Sequence, residues 1–337
     1  MLFADNKRRY RKHINDSFRF VGLMLSRKCE ANCIFCPIPH KANLANKEAY
    51  MSMDMLKKVV DELAEHGFSG QINYGENGDA LLNPNFKDIV KYVYEKVPLA
   101  KTILYTNMMH VDSEISELLL KNGLSELILN VDGSSSYVYN RAKPGLNFDV
   151  VRTNLHNFLD IRDSLKASCK VGIGILPPRR YLELASKQAK KFNILYDVVE
   201  IIEYWQPYLS GGDWLSEFIC FFKWNTARSA NIRRRSCPPV ILKEFFEKLF
   251  VSSEGDTYVC CMDYYTSSAL TYGNAMKNSI YDLWQSKRRK DIIKNIVSRQ
   301  FEEIGEPCLH CNEKFDYLRS YINFVKHRYF SNRRDGR

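Results

Sequence analysis

Between residues 18 and 202, short apolar runs alternate with longer amphipathic segments, and no other feature limits the possible folds as strongly. FRFVGLML (18–25), QINY (71–74), KTILYT (101–106), ELILNV (126–131), KVGIGIL (170–176) and YDVVEII (196–202) read as buried strands. Helical periodicity fills the stretches between them, at 52–66, 84–96, 113–122, 148–165 and 181–192. Ser52 is a good N-cap for the first helix, and Gly67 and Gly123 are natural stops for the first and third. Six strands alternating with helices predict a parallel sheet with helices outside it. The pattern suits an open doubly wound sheet or a partial barrel equally. Both place functional loops at the carboxyl ends of the strands.

The alternation breaks near residue 203, and an aromatic-rich connector, 204–230, carries Trp205, Tyr208, Trp214 and Trp224. These aromatics suit either stacking on a sugar ring or covering a seam between domains. A second, smaller domain is expected over 231–314. Flanking these are a basic N-terminal segment, 1–17, and a basic amphipathic helix and tail, 315–337. The tail's apolar stripe is Phe315, Leu318, Ile322, Val325 and Tyr329, so it packs on the protein or lies on a membrane surface. Of the net charge of +10, the segments 1–14 and 319–337 hold +4 and +5, leaving the body nearly neutral. That distribution argues against nucleic acid as a partner. It fits solvated tails, or an anionic partner such as an acidic electron-donor protein. No apolar run approaches a membrane span and no secretory signal opens the chain, so a cytoplasmic location is expected. Ten cysteines in such a compartment call for metal or redox chemistry rather than disulfides.

The first strand runs into SRKCEANCIFCP, where Cys29, Cys33 and Cys36 share one loop. Three soft thiolates so spaced select zinc or iron–sulfur. A structural zinc site wants a fourth protein ligand, for which His40 is the nearest candidate. With Phe35, the spacing Cys-x3-Cys-x-aromatic-Cys resembles the signature of the radical S-adenosylmethionine (SAM) enzymes. The resemblance implies a partial (β/α)6 barrel of the TIM type. It also implies a [4Fe–4S] cluster on these thiolates, SAM chelating the open iron, and a 5′-deoxyadenosyl radical that abstracts hydrogen from substrate. Phe35 would lie near the adenine. Tyr74-Gly75-Glu76 stands where the family has a Gly-Gly-Glu-like segment for the methionyl amine, with Tyr74 replacing the first glycine, and Asn77 to Pro84 is an altered form of the stretch that follows it. Thr106-Asn107 ends the third strand, as in many relatives. Asn130 and Asp132 fall where relatives bind ribose, although Asp132-Gly133 also reads as a turn. Gly172 and Gly174 would admit the adenine or serve packing, and Arg141 is a candidate for the SAM carboxylate.

The later cysteines, in SCPP, GDTYVCCMD and CLHC, resemble the SPASM/Twitch extension of radical SAM proteins, which binds auxiliary iron–sulfur clusters. One auxiliary [4Fe–4S] cluster held by Cys237, Cys260, Cys308 and Cys311 is implied; a four-cysteine zinc site is the alternative. Neighbouring residues on an extended chain point opposite ways, so one of Cys260 and Cys261 is expected to face the cluster, and the Gly255-x4-Cys spacing favours Cys260. Cys169, Cys220 and Cys261 are then left over, and Cys261 is the candidate hydrogen-atom donor to a substrate radical.

These features predict an enzyme that oxidises or epimerises a small sugar- or aminoglycoside-like molecule, with a flavodoxin or ferredoxin as electron donor. A second reading is a maturase of ribosomally made peptides, disfavoured because the first strand begins by residue 18, with no room before it for a peptide-recognition domain. A third is a non-catalytic iron–sulfur or zinc protein, which the complete cysteine motif argues against. Glu203 and Asp213 are the available candidates for a general base.

Overall fold

The computed structural model describes residues 8, 10–33, 36, 49–175, 198–217, 237, 244–261, 263, 268–306 and 308. The expected strands appear as β1 (Phe20–Leu23), β2 (Gln71–Asn73), β3 (Lys101–Thr106), β4 (Leu124–Asn130) and β5 (Lys170–Ile175), all paired in parallel. Between them run α1 (Met53–Glu65), α2 (Phe86–Lys96), α3 (Ser113–Lys121), α4 (Ser136–Ala142) and α5 (Phe148–Ser164). Local chemistry sets the boundaries. Ser52 accepts a hydrogen bond from the Met55 amide, and Asp112 caps α3 through the Ile115 amide. Gly67 and Gly123 follow α1 and α3 at positive φ, 61° and 70°. Met55, Leu56, Val59, Val60 and Leu63 form the buried stripe of α1.

The segment expected as the sixth strand is instead a helix, α6 (Val198–Trp205). Its period is that of a helix: Ile201 and Trp205, four apart, are both buried. Trp205 also donates its indole N–H to the Gly133 carbonyl at 3.0 Å. The strand that completes the parallel set is β6 (Trp214–Glu217), inside the stretch read as a connector. Asp213 fixes its start by accepting from the Val171 amide and, at both carboxylate oxygens, from Arg162. That buried role leaves Asp213 unsuited as a general base. Trp214 lies where a Cβ on Gly172 would stand and donates to Glu126 at 2.6 Å. The connector tryptophans of known placement are therefore packing residues, and Trp224 is outside the described residues. So are the helix expected at 181–192 and the amphipathic helix of the tail.

After α7 (Glu244–Glu247), β7 (Lys248–Val251) pairs in parallel with the free edge of β1, and β8 (Asp256–Tyr258) and β9 (Thr271–Asn274) continue antiparallel. The sheet order is β6-β5-β4-β3-β2-β1-β7-β8-β9. The C-terminal region thus extends the sheet of the partial barrel. Two helices, α8 (Ile280–Gln285) and α9 (Lys287–Ser298), and the short α10 (Phe301–Ile304) follow. Glu62 of α1 accepts from Ser279 Oγ and the Ile280 amide, so a barrel residue caps α8. Part of the N-terminal segment read as basic tail is docked: Trp284 donates to the Asp16 carbonyl, Arg289 to that of Ile14, and Tyr10 to that of Lys290.

Candidate functional site

A cavity of about 400 Å³ opens beyond the carboxyl ends of β1 to β4. Cys29, Cys33 and Cys36 form part of its wall, on the loop after β1. This loop is braced from the other side of the barrel: the Asn32 amide donates to the Pro144 carbonyl at 2.6 Å. Gly145, at φ 96°, presses so closely on the Glu30 carbonyl that a Cβ would clash. Among the described residues no two cysteines are joined in a disulfide. Burial pushes the Cys29 thiol up to about 12 and raises Cys33 too, the nearby Lys143 cation opposing the effect at Cys33. Thiolates in such a place persist only against a compensating positive charge, which a metal centre supplies. Among the described residues no three His, Cys, Asp or Glu side chains are arranged to chelate one metal ion. Three thiols facing a cavity of this volume fit a group larger than a single ion.

The second wall is the segment after β2. Asn73 Nδ2 donates to the Gly75 carbonyl and to Glu76 Oε1, and Asn73 Oδ1 accepts from the Gly75 amide, clasping the turn. A Cβ on Gly75 would stand 2.6 Å from the Tyr105 carbonyl, and one on Gly78 would stand 2.5 Å from the carbonyls of Ser26 and Lys28. Gly22 of β1 leaves the space that Glu76 and Phe250 occupy. Asp79 is buried and ties this segment to the end of β3, accepting from Thr106 Oγ1 and the Asn107 amide. Burial shifts its carboxyl upward. Two side-chain oxygens at the cavity, Asn77 Oδ1 and Asn130 Oδ1, are buried and have no hydrogen-bond partner among the described residues. Buried acceptors of this kind are where donors of a bound ligand belong.

Gly75, Glu76 and Asn130 of the expected cofactor-contacting residues line the cavity with the three cysteines. Others do not. The Tyr74 ring is buried edge-on to Phe86. Asp132 is buried in an ion pair with Lys143, 3.1 Å apart, and it is Lys143 that reaches the cavity. Arg141 is exposed, stacked on Tyr137 at 3.6 Å, and away from the cavity. Gly172 makes room for Trp214, and neither it nor Gly174 is at the wall. Phe35 and Cys311 are outside the described residues. Sequence reasoning passed over Asn73, Lys143 and the anchoring role of Asp79; strand-end position signals Asn73, but nothing local singles out Lys143 over Arg141.

In the C-terminal region Cys237, Cys260 and Cys308 pack partly buried against the main core. Cys261 points elsewhere: it packs with Met24, Phe250 and Tyr258, and it lines the cavity that the first three cysteines line. Phe250 and Lys248 of β7 and Phe20 of β1 complete that side.

A barrel with three cysteines on the loop after its first strand, and a cysteine-bearing extension on its edge, defines a class of iron–sulfur enzyme. Residues 23–180 match the Radical SAM superfamily, and residues 243–312 match the SPASM iron–sulfur cluster-binding domain. The chain belongs to the radical SAM superfamily and carries a SPASM domain. Its cofactors are accordingly SAM, a SAM-binding [4Fe–4S] cluster and auxiliary iron–sulfur. It is similar to the S-adenosyl-L-methionine-dependent 2-deoxy-scyllo-inosamine dehydrogenase of Niallia circulans, 21% identical over 122 residues. That match covers 36% of this chain and about half, 48%, of the relative. Among solved structures, BtrN in complex with AdoMet and 2-DOIA aligns at a TM-score of 0.54 and 16% identity, covering 88% of this chain and 93% of BtrN. Native anSMEcpe with bound AdoMet aligns at 0.56 and 12% identity, covering 92% and 96%. Among the described residues no helix is long and apolar enough to cross a membrane.

Proposed function

We propose that this radical SAM enzyme acts on a small polyol or aminosugar-like molecule and inverts one of its carbon centres, with Cys261 as the hydrogen-atom donor. The observation that carries this reading is the presence of Cys261 in the same cavity as Cys29, Cys33 and Cys36. Cys29, Cys33 and Cys36 would hold the SAM-binding cluster, and Cys237, Cys260, Cys308 and Cys311 the auxiliary one. When bound, SAM and its cluster supply a carbon radical that takes a hydrogen atom from a C–H bond of the substrate. Glu76, clasped by Asn73, would receive the methionyl amine, while the unpartnered oxygens of Asn77 and Asn130 accept hydroxyl or amine donors. Phe20 and Phe250 keep water from the apolar side. Cys261 then gives its thiol hydrogen to the substrate radical from the face opposite the abstraction. The thiyl left behind takes one electron and one proton, the electron from a flavodoxin- or ferredoxin-type donor.

The test is turnover in deuterated water against panels of aminosugars, polyols and short peptides. The expected product is an epimer with one solvent deuterium at the inverted carbon, and Cys261→Ser forms 5′-deoxyadenosine without the epimer. A ketone lacking solvent deuterium, formed equally well by the variant, would overturn inversion. It would support the second reading, dehydrogenation, which the similarity to a dehydrogenase favours. Turnover of peptides alone would sink the small-molecule assignment.

A further inference from the structure

We infer that Asn107 tunes the SAM-binding cluster through Cys29 by donating an amide hydrogen bond to its sulfur. Asn107 Nδ2 lies 3.9 Å from Cys29 Sγ and 3.0 Å from Glu30 Oε1. The amide orientation is fixed from the other end: Asn107 Oδ1 accepts from the Met109 amide at 2.9 Å. The oxygen therefore faces away, and both N–H groups point at Glu30 and Cys29. The residue is held on every side. Its backbone amide donates to Asp79 Oδ2 at 3.0 Å, and the same carboxylate oxygen takes the Thr106 hydroxyl at 2.9 Å. The following residue, Met108, is buried at φ 70°, a left-handed conformation that costs free energy in a non-glycine residue. Asn154 Nδ2 holds that turn by donating to the carbonyls of Met108 and Met109. Glu30, which orients the other N–H, is itself 3.2 Å from His110 Nε2.

A strained turn locked around one amide places that amide with care, and its free N–H group faces a sulfur. Hydrogen bonds to cluster sulfurs stabilise the more negative, reduced state and so raise the potential. The inference rests on Cys29 being a ligand of the SAM-binding cluster. It assigns Asn107 no contact with substrate; it acts through Cys29 alone.

The test uses the full chain, reconstituted anaerobically with iron and sulfide. Iron is counted first, and the cluster is then titrated potentiometrically by EPR. Asn107→Asp keeps the acceptor for the Met109 amide but removes the donor and adds a negative charge; Asn107→Leu removes donor and acceptor without adding charge, so its shift reads the lost hydrogen bond. At the potential where half the wild-type clusters are reduced, the expected reduced-to-oxidised ratio in Asn107→Asp falls about tenfold, or 59 mV for one electron. Asn107→Leu shifts the same way by less. Unchanged potentials at full iron content overturn the inference while leaving the cluster assignment intact. If the variants fail to hold iron, the wild type decides: with ¹⁵N in asparagine side chains, pulsed EPR of the reduced cluster should show a weak nitrogen coupling. Its absence refutes the donor role. A wild-type protein that takes up no iron would instead refute the cluster assignment on which the inference stands.

Discussion

Lys143→Met isolates the ion pair beneath the cavity. Lys143 and Asp132 are 6% and 1% exposed and lie 3.1 Å apart. At an effective dielectric of about 20, two unit charges at that distance attract by about 5 kcal/mol. Forming the pair costs desolvation of both groups, so its net worth is small. Breaking it is different, because the carboxylate stays buried after losing the cation 3.1 Å away, at a cost of about 3–5 kcal/mol. With a urea slope at or above about 3 kcal/mol per molar, the denaturation midpoint falls by about 1–2 M. Asp132→Asn alone is expected to cost a similar amount, because it strands the lysine. The double variant Lys143→Met/Asp132→Asn should recover most of the loss, since neither charge remains. The pH profile is a second check. The Asp132 carboxylate holds Lys143 above the usual lysine range against its own burial. The pair's contribution is therefore fully present below the unfolded value of about 10.4, declines as pH rises above it, and is gone once pH passes the higher folded value. Below about pH 9 the wild-type and Lys143→Met difference should be flat with respect to this lysine. A single-variant cost under about 1 kcal/mol, or costs that simply add in the double variant, would refute the reasoning.

Four further outcomes are expected. In metal-free protein Cys29 should react with iodoacetamide at pH 8 about a thousandfold more slowly than an unperturbed thiol, because burial holds it near 12; the rate should rise about tenfold per pH unit, and a rate like that of free cysteine would contradict the burial. The same shift should make metal-free protein lose stability as pH rises above about 8.5, because the unfolded chain releases that proton first. Gly172→Ala should displace the Trp214 indole, break its bond to Glu126 and cost about 1–3 kcal/mol, seen as a red shift in tryptophan emission and a lower urea midpoint. Glu62→Ala removes the acceptor for Ser279 and Ile280, so stability should drop by about 1–2 kcal/mol and the amides of α8 should exchange faster, while α3 keeps its protection.

The first five strands and most of the helices between them were legible because each states its own period and its own stops; the short helix Ser136–Ala142, in a stretch read as a polar loop, was missed. Ser52, Gly67 and Gly123 act within one turn of the helix ends they mark, so they read correctly without tertiary knowledge. YDVVEII was misread because a short apolar run carries no period of its own. Extending the window to Trp205 would have revealed the four-residue spacing of Ile201 and Trp205. The pairing of β7 with β1 was invisible for another reason. It joins residues more than 200 positions apart, and nothing in KLFV names Phe20–Leu23 as its partner.

The site divides along the same line. Cys29, Cys33 and Cys36 are local on one loop, and a spacing rule finds them. Asp132 and Arg141 were assigned by position relative to a motif, whereas long-range geometry sets where they sit: buried Asp132 pairs with Lys143, and Arg141 stacks on Tyr137. The adjacent pair Cys260 and Cys261 shows how a local rule gains force from topology. The two residues follow β8 at a turn, closed by the Asp263 amide on the Cys260 carbonyl, rather than on an extended strand, and their side chains still diverge. Because β7 docks on β1, one direction leads to the core with Cys237 and Cys308, and the other leads into the cavity. Had β7 docked on any other edge, Cys261 would be one more small buried hydrophobe. Its candidacy as a donor is therefore a property of the β1–β7 pairing, and Cys261→Ala, which leaves Glu76 and the first three cysteines untouched, should abolish the solvent-deuterium label in product before it abolishes 5′-deoxyadenosine formation.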